Sequence, residues 1–174
     1  MTISLAIDTA TSRTIVAMVD DGKVLFESFH EGATDHGKAI TELVVQALKV
    51  CPVPNQVVVG MGPGPFTGLR VGIAFAQSFA LGSNINWVGV CSLDAMAVGI
   101  NETEFIVSTD ARRKERFWAR YKDGKRISDP AVSKASELEK LGIPIFNEGD
   151  YFPDPVALAN LAVSTKSVEQ PIYI

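Results

Sequence analysis

Gly60–Gly72 reads GMGPGPFTGLRVG, with five glycines and two prolines leading into the apolar run of Ile73–Leu81. A glycine-rich loop ahead of a helix is a common phosphate cradle. A Walker loop needs lysine after its last glycine, yet Leu69 follows Gly68. A dinucleotide loop needs G-x-G-x-x-G, whereas Gly62, Gly64 and Gly68 give G-x-G-x-x-x-G. Pro63 and Pro65 also remove two amide donors. The stretch therefore predicts a backbone-shaping turn and a helix over 68–81, with Thr67 as its N-cap.

Working outward, ISLAID and TIVAMVD read as strands, the DDG at Asp20–Gly22 as a hairpin turn, and KVLFESF as a third strand. A helix follows from Lys38. Ile40, Leu43, Val44, Ala47 and Leu48 share one face of it, and Cys51-Pro52 ends it. QVVVG reads as a buried strand before the glycine stretch. WVGVCS reads as another after it, with Ser92 able to cap a short helix through Val98. The pattern then returns. Asp8–Lys23 and Asp110–Lys125 both open on an aspartate ending an apolar strand and close on DGK, 102 residues apart. SKASELEKL, IPIF and PVALANLAV follow the second copy as helix, strand and helix. The chain is thus an α/β protein with a duplicated βββαβα unit, its second lobe shortened. The lobes are expected over 1–100 and 101–174.

Duplicated lobes that each begin with an aspartate hairpin describe the actin-like, hexokinase-like ATPase (ASKHA) architecture. Its first hairpin is usually D-x-G-[TS] and wraps nucleotide phosphates. Here it reads Asp8-Thr9-Ala10-Thr11-Ser12, and Ala10 takes the place of the glycine that lets amides approach a phosphate. Asp8, Thr9, Thr11 and Ser12 read as a degenerate phosphate-type loop whose hydroxyls close their own turn. Neither a cofactor nor tight ATP binding is expected. Asp8 and Asp110 are read as structural.

At 47% apolar and 21% charged residues, the composition is that of an ordinary globular protein. No basic leader precedes the first strand, and no apolar run is long enough to span a bilayer, so a cytoplasmic protein with no membrane partner is expected. Cys51 and Cys91 stand alone, consistent with reduced thiols. The net charge of −4 argues against whole-chain nucleic-acid binding. Eight of the sixteen basic residues nevertheless fall between Arg112 and Arg126, which reads as a solvated hairpin face or a phosphate-contacting patch. His30 and His36 are too far apart in pattern for a metal pair. His36 is expected to be exposed, with Ile40 where a second ligand would stand.

The segment GMGPGPFTGLRVGIAFAQSFAL resembles the G-x-GPG-[SP]-FTG-x-R-[IV]-G motif of the bacterial TsaB family, also called YeaZ. Gly62, Gly64, Thr67, Gly68 and Arg70 carry the match, and LAIDTAT, DARRKERFWARY and QPIYI extend it along the chain. The resemblance implies a non-catalytic scaffold or activating subunit of the complex that installs threonylcarbamoyl on the adenosine next to the tRNA anticodon. It would bind the transferase TsaD directly, meet the ATPase TsaE in the complex, and contact tRNA only through the assembly. Alone, the chain could pair with a second copy. A small-molecule kinase of the same fold and an M22-type metallopeptidase are the alternative readings. The H-x-x-x-H metal pair of TsaD-type enzymes is incomplete here.

The helix after the glycine stretch carries two apolar stripes, one of Val71, Phe75 and Phe79, the other of Leu69, Ile73, Ala76 and Ala80. Such an arc exceeds what one sheet covers. The partner surface is therefore expected over Ile40, Leu43, Val44 and Ala47 of the first helix with Leu69, Val71, Ile73, Phe75, Ala76 and Phe79 of the second. Which stripe faces outward is left open.

Overall fold

The computed structural model describes residues 2–51 and 53–174. β1 (Ile3–Asp8), β2 (Arg13–Asp20) and β3 (Lys23–Glu31) form a meander, followed by α1 (His36–Val50), β4 (Gln56–Gly60), α2 (Phe66–Ser83), β5 (Asn86–Val90) and α3 (Ser92–Ala97). The second lobe runs β6 (Glu104–Asp110), β7 (Glu115–Lys122), β8 (Lys125–Arg126), β9 (Ala131–Lys134), α4 (Ala135–Glu139), β10 (Ile145–Asn147) and α5 (Pro155–Ser164).

The duplication is visible in the strand order. One sheet runs β3-β2-β1-β4-β5 and the other β8-β7-β6-β10, with β9 also on β7. In both, the first two strands pair antiparallel and the strand after the helix joins in parallel. The two DG turns are alike in detail, with left-handed backbone at Asp21 and Gly22 and again at Asp123 and Gly124. The second lobe is reduced where its third strand breaks into β8 and β9. There the Arg120 N–H leaves the ladder and donates to Ser128 Oγ at 2.9 Å. α4 is five residues long, and β5 has no counterpart among the described residues.

Alternation decides what each face buries. Leu5, Ile7, Val16, Met18, Val57 and Val59 point to one side of the first sheet, where α1 and α2 lie side by side. Ala6, Ala17, Val19 and Val58 point to the other, where α5 packs through Ala157, Leu158 and Ala159. The covering helices thus cross between lobes. α5, late in the chain, shields the first sheet, and α3 packs Leu93 and Met96 on Phe105, Val107 and Tyr121 of the second.

Several local expectations are corrected. α2 starts directly after Pro65, which is extended at ψ 126°, so Thr67 lies inside the first turn and caps nothing. Ser92 is the first residue of α3, not its cap, because its hydroxyl is engaged elsewhere. α1 begins at His36 and gives way at an extended Cys51; Pro52 lies outside the described residues. Asp154 caps α5, its Oδ1 accepting the Ala157 N–H at 2.6 Å ahead of Pro155 at the first helical position. Both cysteines are free thiols.

Candidate functional site: the two hairpin tips and the glycine loop

Asp8 ends β1 and is completely buried. Its Oδ1 accepts the Ala10 N–H at 2.8 Å, closing the turn, and its Oδ2 accepts the Ser92 hydroxyl at 2.6 Å. Ser92 Oγ in turn accepts the Gly62 N–H at 3.2 Å. Burial pushes the Asp8 carboxyl up from 3.8 to about 6, against the two hydrogen bonds and with a smaller push from Glu148. The second hairpin repeats the turn, the Arg112 N–H donating to Asp110 Oδ1 at 3.0 Å, but Asp110 is exposed.

Four glycines of the Gly60–Gly72 stretch face this first hairpin at contact distance. A Cβ at Gly60 would collide with the Asp8 carboxylate and stand 2.6 Å from Ser92 Oγ. One at Gly64 would stand 2.8 Å from Ala10 Cα, one at Gly68 2.7 Å from the Thr9 carbonyl, and one at Gly72 would strike Thr9 Oγ1. Gly62 alone needs its conformational freedom, at φ 88° before a cis Pro63. Thr9 also donates to the Gly68 carbonyl at 2.8 Å, and Thr11 Oγ1 accepts the Arg13 N–H at 3.3 Å. The glycines therefore remove side chains so that the end of β4, the loop and α2 can lie against Asp8, Ala10 and Thr9 respectively. The methyl of Ala10 is enclosed there rather than turned to a ligand.

His36 is a further correction. It is buried, not exposed, and its Nδ1 meets Thr14 Oγ1 at 2.8 Å while Nε2 faces Gly68. Burial holds its pKa below the ordinary value. Ile40, one turn later, lies in the core and offers no ligand. No cluster of three metal-ligating side chains occurs among the described residues.

Between the glycine loop and the second hairpin lies a cleft of ≈ 480 Å³, lined in part by Gly64, Phe66, Thr67, Arg112, Phe117 and Tyr173. Arg70 of the motif is exposed and stacks its guanidinium 5.0 Å from the Phe66 ring, which meets Tyr173 at 5.0 Å. The last residues reach this place by strapping along the first lobe, Val168 N–H to the Gly89 carbonyl and Ile172 N–H to the Met61 carbonyl, both at 2.9 Å. In the basic hairpin, Arg112, Arg113 and Lys114 are exposed and all left-handed, while Arg120 pairs with Glu104 and Arg126 with Asp94.

The two apolar stripes of α2 separate. Leu69, Ile73, Ala76 and Ala80 are in the core, as are Ile40, Leu43, Val44 and Ala47 of α1. These side chains face the sheet because they are the inward rows of two helices lying on it, so they are not contact residues of the folded chain. Val71, Phe75 and Phe79 remain half-buried, with the Phe75 and Phe79 rings stacked at 6.1 Å. Val45 and Leu48 of α1 are exposed. Sequence reasoning missed Ser92 as the donor to Asp8, and it missed Glu148, which binds both hairpin tips. Glu148 sits in an NEGD stretch that reads as an ordinary turn.

Two lobes of this topology, each opening on an aspartate hairpin, define the actin-like ATPase fold. The family model for TsaD, tRNA N6-adenosine threonylcarbamoyltransferase, matches residues 29–169. TsaB of Escherichia coli (strain K12), a tRNA threonylcarbamoyladenosine biosynthesis protein, is 38% identical over 125 residues, covering 67% of this chain and 54% of that protein. An uncharacterised protein of Mycobacterium leprae is 44% identical over 183 residues, covering 99% of this chain and 48% of that one. The chain spans about half the length of these curated relatives. YeaZ from Pseudomonas aeruginosa superposes with a TM-score of 0.80 at 20% identity, over 98% of this chain and 100% of that one, a likeness of fold. The chain belongs to the TsaB (YeaZ) family.

Proposed function

We propose that the protein takes part in tRNA threonylcarbamoyladenosine biosynthesis as a non-catalytic, activating subunit that acts by binding TsaD, with TsaE and tRNA met only in the assembled complex in the cytoplasm. The observation that carries the docking reading is the half-buried stripe of Val71, Phe75 and Phe79. It lies on an α2 whose other stripe already fills the core, beside exposed Val45 and Leu48 on α1. A related two-lobed partner can present a matching pair of helices to it, with a phenylalanine as the buried anchor. The non-catalytic reading is supported by the hairpin. Asp8 points inward to Ser92, and the glycine loop at Gly64 packs where a nucleotide phosphate would approach Ala10. Ile40 stands where the second histidine of the TsaD-type metal pair would be, and no cluster of three metal-ligating side chains occurs among the described residues.

The test separates the two stripes. Val71→Glu is expected to leave the monomer folded and abolish co-purification with TsaD. Ile73→Glu, buried at 7% exposure, is expected to unfold the chain by placing a carboxylate in the core. Val71→Glu that still binds TsaD at parental affinity places the interface elsewhere.

A further inference from the structure

Glu148 follows β10 at the carboxyl end of the second sheet, anchored there by its own N–H to the Ser108 carbonyl at 2.8 Å. Its side chain reaches across the molecule. Oε1 accepts the Ser12 N–H at 2.7 Å and Oε2 accepts the Asp110 N–H at 2.8 Å. Ser12 belongs to the turn of the first hairpin and Asp110 to the start of the second, so one carboxylate satisfies an amide from each lobe. The neighbouring aspartates do not compete for these donors, since Asp8 closes onto Ala10 and Asp110 onto Arg112. Converging backbone N–H groups are an oxyanion site, and charge-assisted bonds of this length are the strong ones.

We propose that the two hairpin tips together form an oxyanion site, and that this chain fills it with its own Glu148. The internal carboxylate bridges the lobes and denies the two amides to external phosphate or carboxylate. Removing it leaves a site for a small oxyanion, with one donor from each lobe. The lobes stay together without it, because α5 still covers the first sheet and the Arg13 guanidinium still lies 3.6 Å over the Phe152 ring.

The test is rescue by a small anion. Thermal unfolding of the parent, Glu148→Ala and Glu148→Gln is followed in chloride, sodium formate and inorganic phosphate at matched ionic strength. Glu148→Ala is expected to lose on the order of 5 °C in Tm. Formate or phosphate should restore much of that saturably, while the parent responds no more than to chloride. Glu148→Gln, whose amide can accept from only one of the two donors, is expected to fall less and to gain nothing from either anion. Amide shifts read the site directly. Ser12 and Asp110 should move on titrating formate into Glu148→Ala, and one of them should lose exchange protection in Glu148→Gln. A Glu148→Ala variant whose anion response parallels the parent's overturns the proposal. Should that variant fail to fold, Ser12 and Asp110 amides unchanged in Glu148→Gln overturn it equally.

Discussion

Replacing Ser92 by alanine should make the cost of the change depend on pH, because Ser92 donates to a carboxyl with no access to water. Asp8 is fully buried and its pKa is pushed up to about 6 from 3.8. A shift of about 2 units corresponds to about 3 kcal/mol. The sign follows from proton binding. Between pH 4 and 6 the folded chain keeps a proton on Asp8 that the unfolded chain has released, so acidifying through this window stabilises the fold. Above it the full penalty of a buried carboxylate is present. Burial acts oppositely on His36, whose lowered pKa means that acidification below about 6.5 favours the unfolded chain. The two windows overlap, so the raw pH curve mixes them. Comparing Ser92→Ala with the parent isolates Asp8, since His36 contributes alike to both proteins at each pH and the lost Gly62 contact contributes alike at both pH values. At pH 7.5 the variant loses a hydrogen bond to a charged carboxylate, about 1.5–3 kcal/mol, and at pH 4.5 one to a neutral acid, about 0.5–1.5 kcal/mol. Urea unfolding at the two pH values should therefore give losses differing by about 1 kcal/mol, larger at pH 7.5. A carbon-13 titration should place the Asp8 carboxyl near 6 in the parent and higher in the variant. Equal losses at both pH values, or an Asp8 titrating near 4, would refute the reasoning.

Two glycines in one helix should respond oppositely. Gly72→Ala drives a methyl into Thr9 Oγ1 and should destabilise by about 1–3 kcal/mol in chemical denaturation. Gly82→Ala meets nothing within 4 Å and should stabilise by about 0.5 kcal/mol through helix propensity. The fragment 1–100 should not fold alone, as measured by amide dispersion and dye binding, since it lacks α5 and leaves Ala6, Ala17, Val19 and Val58 open to water. A dispersed spectrum for that fragment would contradict the crossing of helices between lobes.

The parts legible in the sequence are those set by local chemistry. Asp-Gly turns require left-handed backbone, so Asp20–Gly22 and Asp123–Gly124 marked both hairpins and thereby the duplication. What escaped depends on contacts far along the chain. His36 opens a helix and reads as exposed, yet Thr14 on β2 meets its ring. Pro65 governs the start of α2, so the more familiar capping residue Thr67 misled. The glycine stretch signals tight geometry without saying what approaches it, and the approach is by Asp8, Thr9 and Ala10, some 60 residues earlier. The wide apolar arc of α2 could not be divided from sequence, because both stripes are wholly apolar and only the sheet chooses between them.

The most direct test of the proposed role is an omission assay. Threonylcarbamoyladenosine formation on tRNA is measured in a reconstituted mixture of TsaD, TsaE, the enzyme supplying the threonylcarbamoyl donor, and this protein, with each component left out in turn. The account predicts no product from this protein without TsaD. It also predicts little product from TsaD without this protein, and restoration by Glu148→Gln but not by Val71→Glu. Undiminished product when this protein is omitted, or product formed by it in the absence of TsaD, would contradict the account.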